Sequence, residues 1–152
     1  MKQSAGLLLY RTVENRTQVF LVHPGGPFFA KKDDGSWSIP KGEFDDDEDA
    51  LAAAKREFEE ETGKAIDGNF TKLQPIRQKS GKTVHAWAVE ADIDHTSIVS
   101  NTFEIEWPPR SGKRKTFPEI DRAGWFTINE AKVKLIPAQV KLVEELATML
   151  LL

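Results

Sequence analysis

Residues 47–62 constrain the fold of this chain more than any other stretch. Ala50, Leu51, Ala54 and Phe58 recur at spacings of one, three and four, which lays an apolar stripe along one side of a helix. Ala52 and Ala53 add helix propensity. The acidic residues 45–49 suit the positive N-terminal end of that helix, and Gly63 is placed to end it in a left-handed conformation. Such a stripe has to be buried, and the flanking sequence offers strands to bury it. Residues 4–11 and 18–23 are apolar and β-prone, and the polar Glu14, Asn15 and Arg16 between them predict a hairpin. Pro24, Gly25, Gly26 and Pro27 end its second strand. Lys41, Gly42 and Glu43 read as a loop leading into the helix.

Further β-like segments lie near 73–77 and 83–89, with shorter ones at 103–107 and 124–126. In 83–89, Val84, Ala86 and Ala88 alternate with His85, Trp87 and Val89, so both faces of that strand are expected to be covered. A last helix is predicted to start near Pro137, with Val140, Val143, Leu146 and Leu150 as its buried stripe. Strands and helices interleave, with a helix on each side of a strand-rich centre, so the expected class is a layered α/β fold. No repeat or linker divides the 152 residues, and residues 1–152 are expected to form one domain.

Composition excludes some functions. There is no cysteine, which rules out disulfides and thiolate metal sites. No apolar run reaches the roughly 20 residues of a membrane helix, so no membrane partner is expected, and the cytoplasm is the default compartment. The net charge of −3 gives no overall case for binding a nucleic-acid polymer. The charges are unevenly spread: acids crowd residues 43–61, while Arg110, Lys113, Arg114 and Lys115 form a basic loop. That division suits a polyanion held through metal ions.

Glu57, Glu60 and Glu61 stand at i, i+3 and i+4, so a helix puts all three carboxylates on one side. Their repulsion has no rationale in helix stability, and a bound cation would offset it. All-oxygen ligands select magnesium, calcium or manganese. Arg56 can orient a carboxylate by a charge-assisted bond. Glu48, eight residues earlier, can complete an ion pair or a second metal shell. At Gly42 the backbone can approach a ligand closely.

These residues resemble the Nudix box, G-x5-E-x7-R-E-U-x-E-E-x-G-U, where U is a bulky apolar residue. Gly42, Glu48, Arg56, Glu57, Phe58, Glu60, Glu61 and Gly63 fall in register, eight of nine defined positions. Lys64 departs at the ninth, and Ala65 or Ile66 is expected to take over its packing role. The resemblance extends to the lead-in Trp37-Ser38-Ile39-Pro40-Lys41-Gly42, to Phe117-Pro118-Glu119 with Trp125, and to Pro137-Ala138-Gln139.

The resemblance implies a Nudix-type α/β/α sandwich around a mixed β-sheet. It implies magnesium, with manganese as a substitute, on Glu57, Glu60, Glu61 and the Gly42 carbonyl, with Arg56 holding a glutamate in place. It implies in-line hydrolysis of a diphosphate linkage in a nucleotide-like substrate. The general base is open between Glu57 and Glu119, with Glu104 and Glu106 behind them. Lys41, Arg110, Lys113 and Lys115 are the candidate phosphate contacts. The Pro40-Lys41-Gly42 lead-in is similar to that of the dinucleoside and inositol polyphosphate branches, which favours a dinucleoside polyphosphate such as diadenosine tetraphosphate. Nucleoside triphosphates, oxidised ones included, and inositol pyrophosphates are the alternatives. A non-catalytic nucleotide-binding module is the alternative of another class, and the retained carboxylates count against it. A calcium-binding structural domain has no EF-hand loop behind it. His23 and His85 read as structural, and the tryptophans mostly as core. Phe28 and Phe29 are placed near a ligand as readily as in the core. The last helix buries its stripe in the core or in a second copy, so the chain is expected as a monomer or homodimer.

Overall fold

The computed structural model describes residues 2–152. The first two strands, β1 (Gln3–Val13) and β2 (Arg16–Pro24), form the expected hairpin. Glu14 and Asn15 both turn through positive φ, as a two-residue hairpin turn requires. Next come β3 (Lys41–Glu43), α1 (Ala50–Thr62), β4 (Thr71–Lys72), β5 (Ile76–Arg77) and β6 (Thr83–Glu90). The chain then adds β7 (Thr102–Glu106), β8 (Arg114–Pro118), β9 (Ile120–Thr127), α2 (Ile128–Lys134) and α3 (Val140–Met149). The main sheet runs β4-β6-β1-β2-β9, with β3 on β1 and β5 on β6. β1 and β6 are parallel and the other pairs antiparallel, so the sheet is mixed.

The sheet has a core on each face, as the alternation in β6 predicted. Trp87 and Val89 join Ala5, Leu7, Leu9 and Phe20 under α1, which contributes Ala53, Ala54 and Phe58. Val84, Ala86 and Ala88 join Leu8, Val19, Leu21 and Trp37 under α2 and α3, which contribute Ala131, Leu142, Val143 and Leu146. The result is the α/β/α sandwich. The stripe of α3 lies in the core, with Val140 and Leu150 at its margin.

Several segments differ from the sequence reading, and of residues 73–77 only Ile76 and Arg77 are strand. Residues 41–43 are not a loop but the strand β3, because the N-terminal end of β1 offers free backbone groups that they pair with. The helix starts at Ala50 rather than at 47, because the Asp49 carboxylate caps it by accepting the Ala52 N–H at 3.0 Å. The basic segment is loop only as far as Lys113, since Arg114 opens β8, which pairs with β7 in a separate two-stranded sheet. The short α2 was not expected, although Thr127 and Glu130 form a capping box that the sequence spells out.

One feature of the sheet creates the site. β1 pairs with β2 from Tyr10 onward, while its N-terminal end pairs with β3. The segment leading to β3 wedges between the diverging strands. Ser38 bridges to Val22, and the Pro40 carbonyl accepts the Leu7 N–H at 3.2 Å. Gly42 is thereby set beneath the last turns of α1.

Candidate active site

The buried side of α1 holds its polar side in place. Phe58 is fully buried against Phe20, with ring centroids 6.0 Å apart, and this fixes the rotation of the helix. Its neighbours Glu57 and Glu61 then turn toward β3. Gly63 ends the helix at φ 77°, and its N–H donates to the Glu59 carbonyl at 2.7 Å. Beyond it, Lys64 stays partly exposed and Ile66 takes the packing role, while Ala65 faces solvent.

Arg56 is the hub of the carboxylates. It donates to both oxygens of Glu48, at 2.9 and 3.0 Å, in a forked pair. Its remaining nitrogen donates to Glu57 at 2.8 Å and to Glu60 at 3.3 Å. Glu48 reaches across because it lies outside the helix. The Glu48 carboxyl is held below its usual range by the Arg56 hydrogen bond. The Glu57 carboxyl is raised, by burial foremost and then, against the Arg56 bond, by the charges of Glu60 and Glu119.

Glu61 lies deeper. Its carboxyl is pushed up to about 8, first by burial and second by the Glu57 charge. The Lys41 ammonium and the Lys41 backbone N–H pull the other way. The Lys41 ammonium is itself lowered, by burial foremost and by the neighbouring Lys82.

Glu119 comes from the far side of the sequence. The Glu119 N–H donates to the Asn101 carbonyl at 2.8 Å, and the Asn101 N–H to the Glu60 carbonyl at 3.1 Å. This backbone relay stitches the start of β9 to the end of α1. Glu61, Glu119 and Lys41 then line one end of a cleft of about 500 Å³. Val22, Ile39, Ile120 and Ile136 give the cleft an apolar wall, and Phe29, Lys32, Asp33 and Asp34 close its other end. Gln139 is a positioning residue that the sequence reading did not single out for this role. Fully buried, it accepts the Ile39 N–H at 2.9 Å and donates to Ser38 at 3.0 Å, holding the wall that leads to Lys41. A glutamine at the start of an apolar helix was the available signal.

Other residues fall elsewhere. Glu104 pairs with Arg114 at 2.8 Å, and Glu106 accepts the Arg110 N–H at 2.8 Å, so both are engaged on the β7–β8 hairpin. Arg110, Lys113 and Lys115 do not line the cleft, because that hairpin forms its own sheet. His23 is buried between the Asp121 carboxylate and the Lys32 carbonyl, each at 2.7 Å, which is a structural role. His85 bonds Gln3 at 2.6 Å. Trp37 and Trp87 are core residues.

The donor set fits a hard divalent cation. Three carboxylates share one helix side, and the two that burial drives toward the protonated form are ones a cation would relieve. Among the described residues no three acidic or imidazole groups are already drawn around one point, so the helix offers donors rather than a closed cage.

Two expected results test this geometry. Glu61 has a folded pKa above its ordinary 4.5, so the folded protein keeps a proton that the unfolded chain has lost. Stability without metal therefore falls as pH rises from about 4.5 toward about 8. Thermal melts in chelator should show Tm dropping across that window. Added magnesium should remove most of the drop, because a ligand held only by the folded carboxylates stabilises that state. A flat Tm in chelator would place Glu61 outside this environment.

Gly42 gives the second test. A Cβ there would overlap the Glu57 carboxylate, the movable end of a side chain. Gly42→Ala should leave the fold intact and displace the carboxylate. A roughly 100-fold loss of turnover is expected, the scale for a misplacement of about 1 Å, with little change in Tm. An unaltered rate would show that Glu57 has freedom to move.

Comparison with known proteins identifies the family and the fold. The NUDIX domain family matches residues 2–146. A C. elegans Ap4A hydrolase in a binary complex shares the fold, with a TM-score of 0.66 at 20% identity over 99% of this chain and 98% of that one. The NUDIX domain of Shewanella oneidensis NrtR, complexed with ADP ribose, superposes with a TM-score of 0.66 at 15% identity over 97% and 87% of the two chains. The E. coli ORF135 protein gives a TM-score of 0.57 at 22% identity over 98% and 91%. A search of curated proteins gives no match. The family match spans nearly the whole sequence, and Arg56 on the helix gathers the box carboxylates Glu48, Glu57 and Glu60, so the chain belongs to the Nudix family of pyrophosphohydrolases.

Proposed function

We propose that the chain hydrolyses dinucleoside polyphosphates such as diadenosine tetraphosphate, with magnesium held by Glu57, Glu60, Glu61 and the Gly42 carbonyl. The cleft is the observation that carries this reading. Its acidic and cationic end suits metal-bound phosphates, and its apolar wall suits a nucleoside. The Pro40-Lys41-Gly42 lead-in, similar to that of the polyphosphate-cleaving branches, adds the preference for a long phosphate chain. An Ap4A hydrolase and an ADP-ribose binder share the fold, and at these identities they speak for the fold alone.

Magnesium, when bound, neutralises diphosphate charge and lowers the pKa of water. The chain's own residues do the rest. Arg56 keeps Glu57 and Glu60 extended beside one another. The Lys41 ammonium takes a phosphate oxygen as the substrate enters. Glu119 is the base: its carboxylate has no hydrogen-bond or ion-pair partner among the described residues, whereas Glu57 is occupied by Arg56 at 2.8 Å. Glu119 takes a proton from the attacking water, the new P–O bond forms in line, and the other phosphate leaves with the bridging oxygen.

The test is metal-dependent release of mononucleotide across a panel. It holds diadenosine polyphosphates, canonical and oxidised nucleoside triphosphates, nucleotide sugars, ADP-ribose and an inositol pyrophosphate. Preferential cleavage of the dinucleoside compounds is expected. Much faster cleavage of oxidised dGTP or of the inositol compound would replace the substrate assignment. Glu119→Gln should lose turnover and keep metal affinity.

A further inference from the structure

The β7–β8 hairpin sorts its side chains by face. Cross-strand partners Phe103 and Phe117, then Ile105 and Lys115, share one face from base to tip. Trp107 continues that face, and its N–H donates to the carbonyl of Lys113 opposite at 2.9 Å. Glu104 and Thr116, and Glu106 and Arg114, occupy the other face, where the acids are already satisfied. The first face therefore carries aromatic rings and two lysines with no acid among them. Among the described residues neither Lys113 nor Lys115 makes an ion pair, and the Lys115 ammonium lies over the Phe117 ring.

This face is continuous with the cleft. The turn after β2 runs along the hairpin, starting beside Glu119. The Gly25 N–H donates to the Glu119 carbonyl at 2.8 Å, and Gly25 lies so close to the Pro118 carbonyl that any Cβ would overlap it. Gly26 then rests on the Phe103 ring, and Phe28 meets Trp107 edge-on with centroids 5.5 Å apart. Phe28 is 63% exposed there, although the next residue, Phe29, lines the cleft. An exposed ring packed edge-on against Trp107, on a hairpin face that also carries two lysines, has no account in the core.

We propose that this face is a second nucleoside platform: a purine base stacks on Phe28 and Trp107, and Lys113 and Lys115 take the phosphates that lead to it from the cleft. The proposal rests on the dinucleoside reading above. The cleft, at about 500 Å³ and with a single apolar wall, takes one nucleoside and the phosphates beside it. A dinucleoside polyphosphate then needs a place for its other base. Base–aromatic stacking with neighbouring cations is the usual way to hold a nucleotide outside a pocket.

Phe28→Ala and the double variant Lys113→Ala/Lys115→Ala test it on surface positions. Each should raise KM for diadenosine tetraphosphate about tenfold, the scale of one lost base stack or phosphate contact, with kcat unchanged. The inhibition constant of ATP, which brings a single nucleoside for the cleft, should stay at its wild-type value. Equal changes in both constants, or no change in KM, would overturn the platform and leave the substrate assignment standing. Failure of the wild-type protein to cleave diadenosine tetraphosphate would overturn that assignment and the platform with it.

Discussion

Glu57→Gln is expected to lower kcat by about a thousandfold or more, with the fold intact. The carboxylate stands at the centre of the site: it closes on Gly42, accepts a bond from Arg56, and repels Glu60 and Glu119. Glutamine keeps the shape and the Arg56 contact through its amide oxygen. It removes the negative charge that a divalent cation requires, so metal affinity should fall together with turnover. Groups whose interactions form mainly in the transition state contribute about 10²–10⁴-fold each, and a metal ligand adds the loss of charge neutralisation. Glu57 carries a destabilising charge without metal, so the variant should melt no lower than wild type in chelator. Steady-state kinetics and magnesium titration check both parts. If metal binding stays and only turnover falls, Glu57 rather than Glu119 acts as the base. Unchanged kinetics would move the metal site away from this helix.

Phe58→Ala should cost about 3–5 kcal/mol of stability, the range for emptying a buried phenylalanine site. Phe58 is fully buried between α1 and the sheet and packs on Phe20, which in turn meets Trp125 edge-on at 5.4 Å. Backbone on both sides resists collapse into the space, so a cavity should remain. For a chain of this size the corresponding drop in Tm is about 6–20 °C. The site should suffer too, because Phe58 sets the rotation of the helix that carries Glu57, Glu60 and Glu61. Phe58→Leu, which keeps most of the volume, should recover most of the stability and the activity. A loss in Phe58→Ala below about 1 kcal/mol would show that the helix is anchored elsewhere.

The local pattern carried the helix, the first hairpin and the two-faced β6, because period and composition are properties of neighbouring residues. It also placed Glu57, Glu60 and Glu61 on one helix side, and the structure joins Arg56 to Glu48 as their spacing allowed. Lys41, Gly42 and Glu43 carry no strand signal, and they become a strand only because β1 leaves an edge beside them. Arg110, Lys113 and Lys115 look like a phosphate loop in the sequence. Only the pairing of β7 with β8 shows that they stand outside the cleft and that Lys113 and Lys115 share a face with Trp107. Glu119 stood ahead of Glu104 and Glu106 only through the likeness of Phe117-Pro118-Glu119 to the family's later segment, and nothing local showed how it would reach the helix. The backbone relay through Asn101 brings it alone of the three to the cleft. Sequence by itself thus determined which chemistry the helix can carry, since ligand spacing within a helix is a local quantity. Which distant residues meet that helix was decided by strand pairing across the sheet, a choice set by unpaired backbone groups and buried area that no local pattern records.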